Sequence, residues 1–234
     1  MFNLWYPIDN KQNMANEIKI SPINELNTAP TEPISKAVIK AAAAVSEPVI
    51  PISTTLPEDT EEIKYTHFLQ RTSGLCGPAA LRILLSHFNK NYSEEDLAKI
   101  SDATPEYGAE HDGLIKAIKA LGGHVFAKEN GTIEELKYFI KEQKLPVLID
   151  WFDKDFDKDD DYYGDHYGVI ANITDKHIIV VDPASKRVTR QIDIKDFPYI
   201  WFGFVGRDNK VVSWNWFMVA TFEPKQFKIL GNYY

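Results

Sequence analysis

Four side chains in this chain could act together on a carbonyl. The thiol is that of Cys76, the only cysteine. Directly behind it Leu81, Leu84, Leu85 and Phe88 recur at the spacing of one buried helical face. Pro78 falls in the first turn, where its missing N–H costs nothing. The spacing predicts a helix over 76–88 with the thiol at its positive end, where unpaired N–H groups favour thiolate. Gly74 and Gly77 flank the sulfur, so the backbone there can turn tightly and approach another group closely. A lone cysteine is commonly just a small buried hydrophobe. Its place at a helix start, the bracketing glycines and the amide of Gln70 six positions upstream argue instead for a nucleophile. A helix-start N–H together with the Gln70 amide would make a workable oxyanion hole.

A cysteine nucleophile needs a histidine base and a group that fixes the tautomer of that histidine. The candidates are His67, His87, His111, His124, His166 and His177. His87 is carried away from the thiol by its own helix, and His67 precedes the nucleophile loop without a defined partner. His111 and His124 flank a later helix with no acidic residue in a matched strand, so these four read as solvated or structural histidines. His166 differs, because it stands where a polar loop meets the strand-like run Tyr167 to Ile173. The next run, His177 to Val181, ends in Asp182-Pro183. Pairing the two runs as a hairpin about Thr174-Asp175 makes His166 and Asp182 neighbours and puts His177 at the far end. A carboxylate beside an imidazole N–H fixes its tautomer and stabilises the imidazolium.

The elements that must hold these groups can be read from the pattern on either side. Ser93-Glu94-Glu95-Asp96 caps a second helix carrying Leu97 and Ile100. Asp112 opens a third with Leu114, Ile115, Ile118 and Leu121, stopped by Gly122-Gly123. His124 to Ala127 reads as a short strand, and Thr132 to Glu135 as a capping box before Ile133, Leu136, Phe139 and Ile140. From Pro146-Val147-Leu148-Ile149-Asp150-Trp151 onward the chain is rich in β-branched and aromatic residues. Further strands are expected at 167–173, 176–181, 187–191 and 213–222, with a helical turn near 193–197. Helices first and strands afterwards indicate an α+β domain with an antiparallel sheet.

Residues 1–60 read differently, as a proline-rich arm or linker, partly disordered: they hold seven of the 13 prolines and none of the 12 glycines. The compact domain is expected over 61–234. A net charge of −8 argues against nucleic acid as a partner. No run approaches the roughly 18 apolar residues of a membrane span, and the N-terminus carries no signal-peptide pattern. One cysteine excludes an internal disulfide and a cysteine-based zinc site, and fits a reducing, cytoplasmic address. Asp153, Asp155 and Asp157 imitate the opening of a calcium loop. Lys158 stands where that loop needs glycine and no glutamate closes it, so a solvated loop is expected, with attraction for basic substrate residues as a second use. No cofactor and no metal are expected.

The run Gln70 to Leu81, Gln-x-x-x-x-x-Cys-Gly-x-Ala-Ala-Leu, resembles the signature of the bacteriocin-processing, or double-glycine, cysteine peptidases. Pro146 to Trp151, His166 to Ile170, Val181 to Ala184 and the aromatic segment Phe197 to Phe204 resemble later blocks of that family in the right order. The resemblance implies a papain-like fold in which Cys76 is the nucleophile, His166 the general base, Asp182 its orienter and Gln70 an oxyanion donor. Leu75 departs from it, since the family often places an acidic residue there. Many members are fused to an export transporter, so a stand-alone relative is expected, hydrolysing bonds in a peptide or protein substrate. A transpeptidase or deamidase using the same residues, and a non-catalytic peptide-binding module, are the alternatives.

Overall fold

A computed structural model describes residues 63–153, 164–206 and 211–234. The arm expected over 1–60 and most of the acidic loop lie outside the described residues. The chain folds as a mixed α+β unit of helices and a large antiparallel sheet, most of whose strands follow the helices. Helix α1 spans Cys76–Ser86, α2 Glu94–Ser101 and α3 His111–Ala120. Strand β1 is His124–Lys128, and α4, Ile133–Lys137, widens into a π turn at Tyr138–Glu142. The remaining strands are β2 (Val147–Asp153), β3 (Gly164–Ile173), β4 (His177–Val181), β5 (Thr189–Asp193), β6 (Phe202–Val205), β7 (Val211–Trp214), β8 (Phe217–Thr221) and β9 (Asn232–Tyr233).

The helix boundaries reflect local chemistry. Ser93 Oγ accepts from Asp96 N at 3.0 Å, and Thr132 and Glu135 form a reciprocal capping box. Gly122 takes a positive φ of 82° just past α3, as a left-handed helix end requires. α3 begins one residue earlier than expected, at His111, whose side chain is buried. The single strand expected over 213–222 divides at Asn215. That residue has a φ of 51°, and its N–H donates to Trp201 O, so the extended backbone is interrupted.

The main sheet has the order β5-β4-β3-β2-β8-β1-β9, while β6 and β7 form a separate antiparallel pair. Alternation along the central strands divides the core in two. Leu148, Tyr167, Val169 and Val181 face α1, α2 and α3, whereas Val147, Ile149, Trp151, Ile170 and Val180 pack against Phe139, Phe197 and Trp201 on the other side. One irregularity in β3 decides which residues face each other across the sheet. Its pairing with β4 shifts by one residue between Ile170 and Asn172, a bulge. Without that shift, the register set at the hairpin turn would put Asp182 opposite Val169, on the wrong face for His166; with it, Gly168 comes opposite Asp182.

Candidate active site

The nucleophile loop is held from outside itself. Glu94, at the start of α2, is buried, and its two carboxylate oxygens accept from Arg71 N at 2.8 Å and Thr72 N at 3.0 Å. Gln70 N donates to Pro183 O at 2.7 Å, so the run before the thiol lies against the end of β4. Leu75 N closes a turn onto Thr72 O, and α1 begins at Cys76. Gly74 sits at a φ of 81°, and a Cβ there would lie 2.1 Å from Pro105 O. The close approach anticipated for the glycines is therefore met by the loop beyond α2.

His166 lies near the start of β3, on the same face as Asp182 beyond β4. It reaches the carboxylate diagonally past Gly168, where a Cβ would crowd Val180 at 2.6 Å. His166 Nε2 and Asp182 Oδ1 are 2.7 Å apart, and both side chains are almost wholly buried. Burial alone would hold the His166 pKa down. The Asp182 charge and hydrogen bond, with a hydrogen bond and charge interaction from Cys76, outweigh it and push the imidazole up to about 10. Burial likewise opposes ionisation of Asp182, but His166, Arg190 and the Ala184 N–H bring that carboxyl down to about 2. His166 and Asp182 thus come together, and Cys76 bears on the charge of His166. Gln70 stands beside them through its backbone, while its amide Nε2 donates to Thr72 O at 2.8 Å. An amide nitrogen carries two hydrogens, so one such bond leaves a second available.

A cleft of about 380 Å³ opens beside Cys76. Its walls are Ser73 and Gly74, the stretch Pro105–Glu110, and Asp165, Tyr167 and Phe204. Asp165, His166 and Tyr167 alternate across β3, so His166 faces Asp182 while its two neighbours face the cleft and α3. Tyr167 OH donates to Ala109 O at 3.0 Å, tying the strand to the cleft's far wall.

A second buried group on that face carries no mark in the sequence pattern. His111 stacks on Trp216 at 3.8 Å and lies 2.8 Å from Asp150, so its strand partner was acidic after all. Burial lowers His111 to about 4 and raises Asp150 to about 7. Asp165 is raised to about 8, by burial first and then by the charge and hydrogen bond of Asp150. Burial opposes both charges, and the Asp150 charge adds to it at Asp165, so Asp165 is the carboxyl of the pair that more readily keeps a proton. The sequence pattern does not mark Arg190 or Glu94 either. Both lie in ordinary polar runs, and only tertiary contact makes them part of the site.

The sequence model of the Peptidase C39 family matches residues 64–205, more than half of the chain. The chain belongs to the peptidase C39 family. A comparison with curated proteins returns no match. Among solved structures, this C39 chain is similar to a putative C39-like peptidase from Bacillus anthracis, at 15% identity and a TM-score of 0.52, over 68% of this chain and 96% of that one. It is also similar to the peptidase domain of Streptococcus ComA, a bi-functional ABC transporter involved in quorum sensing, at 19% identity and a TM-score of 0.49, over 68% and 97% of the two chains. A third is a double glycine motif protease from an AMS/PCAT transporter in complex with the leader peptide, at 19% identity and a TM-score of 0.47, over 68% and 92%. Identities this low speak to fold, and the Bacillus protein supports the papain-like architecture. Among the described residues of the C39 chain, no helix is long and apolar enough to cross a membrane, and no three His, Cys, Asp or Glu side chains are grouped to hold a metal ion.

Proposed function

We propose that this C39 chain is a cysteine peptidase in which Cys76 attacks the scissile carbonyl, His166 exchanges the proton and Asp182 orients His166. The observation that carries this reading is the buried imidazole of His166, engaged by Asp182 at 2.7 Å and interacting with Cys76. With Nε2 occupied by Asp182, Nδ1 is the position that takes the thiol proton. The resulting thiolate and imidazolium stabilise each other, and the carboxylate behind the ring stabilises the imidazolium further.

In the acylation step the thiolate forms a C–S bond to the carbonyl carbon. The oxygen becomes an oxyanion, which the Cys76 N–H and the second amide hydrogen of Gln70 receive. The tetrahedral intermediate collapses with cleavage of the C–N bond, and His166 gives its proton to the leaving amine. Water then attacks the thioester, losing a proton to His166, and the C–S bond breaks to release the acid and restore the thiolate–imidazolium pair. The cleft beside Cys76 has room for residues flanking the scissile bond, so a peptide or protein chain is the substrate.

The test is incubation of the full chain with a peptide library, with cleavage products read by mass spectrometry. Wild type is expected to generate new termini, and Cys76→Ala to generate none while melting as wild type does. A Cys76→Ala variant that still cleaves would overturn the reading. So would a wild-type thiol that alkylates only as an ordinary cysteine does, with a rate rising through a pKa near 8.5.

A further inference from the structure

Behind the His166–Asp182 pair stands a third charged layer. Arg190 lies on β5 opposite Val180, on the face of the sheet that carries His166 and Asp182. Its Nε forms an ion pair with Asp182 Oδ2. Its Nη1 lies 3.1 Å from Asp153 Oδ1 and 3.0 Å from Oδ2 at the end of β2. The guanidinium carbon stands 5.8 Å from the centre of the Trp151 ring, and Trp151 is the residue paired with His166 across β2 and β3. These are not surface charges: the side chains of Arg190, Asp153 and Asp182 are 13%, 3% and 0% exposed.

We infer that Arg190 is a positioning residue for the His166–Asp182 pair, holding the carboxylate in the plane and the charge state that His166 requires, with Asp153 bracing the guanidinium from behind. The inference rests on the peptidase reading above. A carboxylate can rotate about its Cβ–Cγ bond. Asp182 is fixed at both oxygens, Oδ1 by His166 Nε2 and Ala184 N, and Oδ2 by Arg190. A buried carboxylate left without a cation is costly and tends to take up a proton, and a neutral Asp182 would no longer favour the imidazolium. Moving the proton from Cys76 to His166 leaves the net charge of the group unchanged, and Arg190 offsets one of the two carboxylates, Asp153 and Asp182, that lie against it. A planar fork between two carboxylates suits this place better than a flexible ammonium would. The other charged or titratable groups that bear on the pair are Cys76 from α1, Asp150 from β2, and His67, whose Nε2 donates to Asp182 O at 2.9 Å.

The single cysteine makes the test independent of an identified substrate. Alkylation of Cys76 by iodoacetamide is monitored from pH 5 to 10 in the full chain, alongside thermal melting. Arg190→Met is expected to slow alkylation near pH 6 by about tenfold or more. Above pH 9, where an ordinary thiol is largely ionised in any case, the rate should stay near that of wild type. A purely structural loss would lower the melting temperature without bending the pH profile. Arg190→Lys and Asp153→Asn, which keep a cation beside Asp182, are expected to show the same bend at smaller size. If Arg190→Met does not fold, those two variants decide. Profiles that superimpose on wild type overturn the role of Arg190. A wild-type profile that is itself that of an ordinary thiol overturns the peptidase reading instead.

Discussion

Replacing Gly74 by alanine tests whether two loop backbones at the mouth of the site must touch. Two costs can be worked from the geometry. The residue sits at a φ of 81°, and a non-glycine residue held there costs about 1–3 kcal/mol. The added Cβ would stand 2.1 Å from Pro105 O, a backbone atom with no soft torsion to yield. Overpacking of that kind costs about 1–3 kcal/mol more. Together they give roughly 2–6 kcal/mol, which at about 2–4 °C per kcal/mol for a domain of this size lowers the melting temperature by roughly 4–24 °C. Because the strain is relieved only by parting the Ser73–Cys76 turn from the Pro105 loop, Cys76 shifts against His166, and a displacement near 1 Å costs about 100-fold in turnover. The assay is thermal unfolding by circular dichroism, paired with the cleavage rate. Gly74→Asn separates the two costs, since asparagine tolerates positive φ yet still carries a Cβ. It should be nearly as damaged as alanine. An alanine variant melting within about 2 °C of wild type would refute the contact argument. Full recovery by asparagine would show that backbone conformation alone set the requirement.

The titrating groups give two further outcomes. Asp182 is ionised in the fold down to about pH 2, whereas an unfolded aspartate protonates near 3.8, so its contribution is present above that value and lost as pH falls through 2. The gap in unfolding free energy between wild type and Asp182→Asn, measured by urea titration and on the order of 2 kcal/mol near neutrality, should therefore shrink between pH 4 and 2; a gap that stays constant contradicts the pairing. Asp165 behaves oppositely. Its folded pKa of about 8 means that the native state keeps a proton the unfolded chain has released, so stability falls as pH rises from about 4 to 8. Asp165→Asn should lose less melting temperature than wild type between pH 5 and 8, and parallel slopes would rule this out.

The parts of the site legible in the sequence were those that depend on local pattern. The helix behind Cys76, the cap at Ser93 and the capping box at Thr132 are written in residues next to one another. The neighbourhood of His166 and Asp182 came from counting along a hairpin, and the count was close but not right in detail. The turn bends at Asp175–Lys176, with Thr174 N bonded to His177 O, one residue later than expected, and the bulge after Ile170 was not foreseen. The bulge restores the correct face, and the diagonal across Gly168 closes the remaining distance. What stayed hidden depends on partners far along the chain. His111 meets Asp150 39 positions away, and Arg190 meets Asp153 37 positions away. Neither residue sits in a pattern that distinguishes it from a solvated charge. The acidic run that began at Asp153 read as a solvated loop, yet Asp153 itself is the last residue of a buried strand.

Glu94 grips the nucleophile loop by two backbone N–H groups, those of Arg71 and Thr72. Bonds of that kind respond to the path of the main chain and are indifferent to the letters written on it. Exchanging either residue for another leaves both bonds available, provided that neither becomes proline, whose nitrogen has nothing to donate. A glutamate one helix away thus loosens the tie between the placement of the reactive sulfur and the sequence beside it. Relatives could carry quite different residues in this turn and still present the sulfur at the same place.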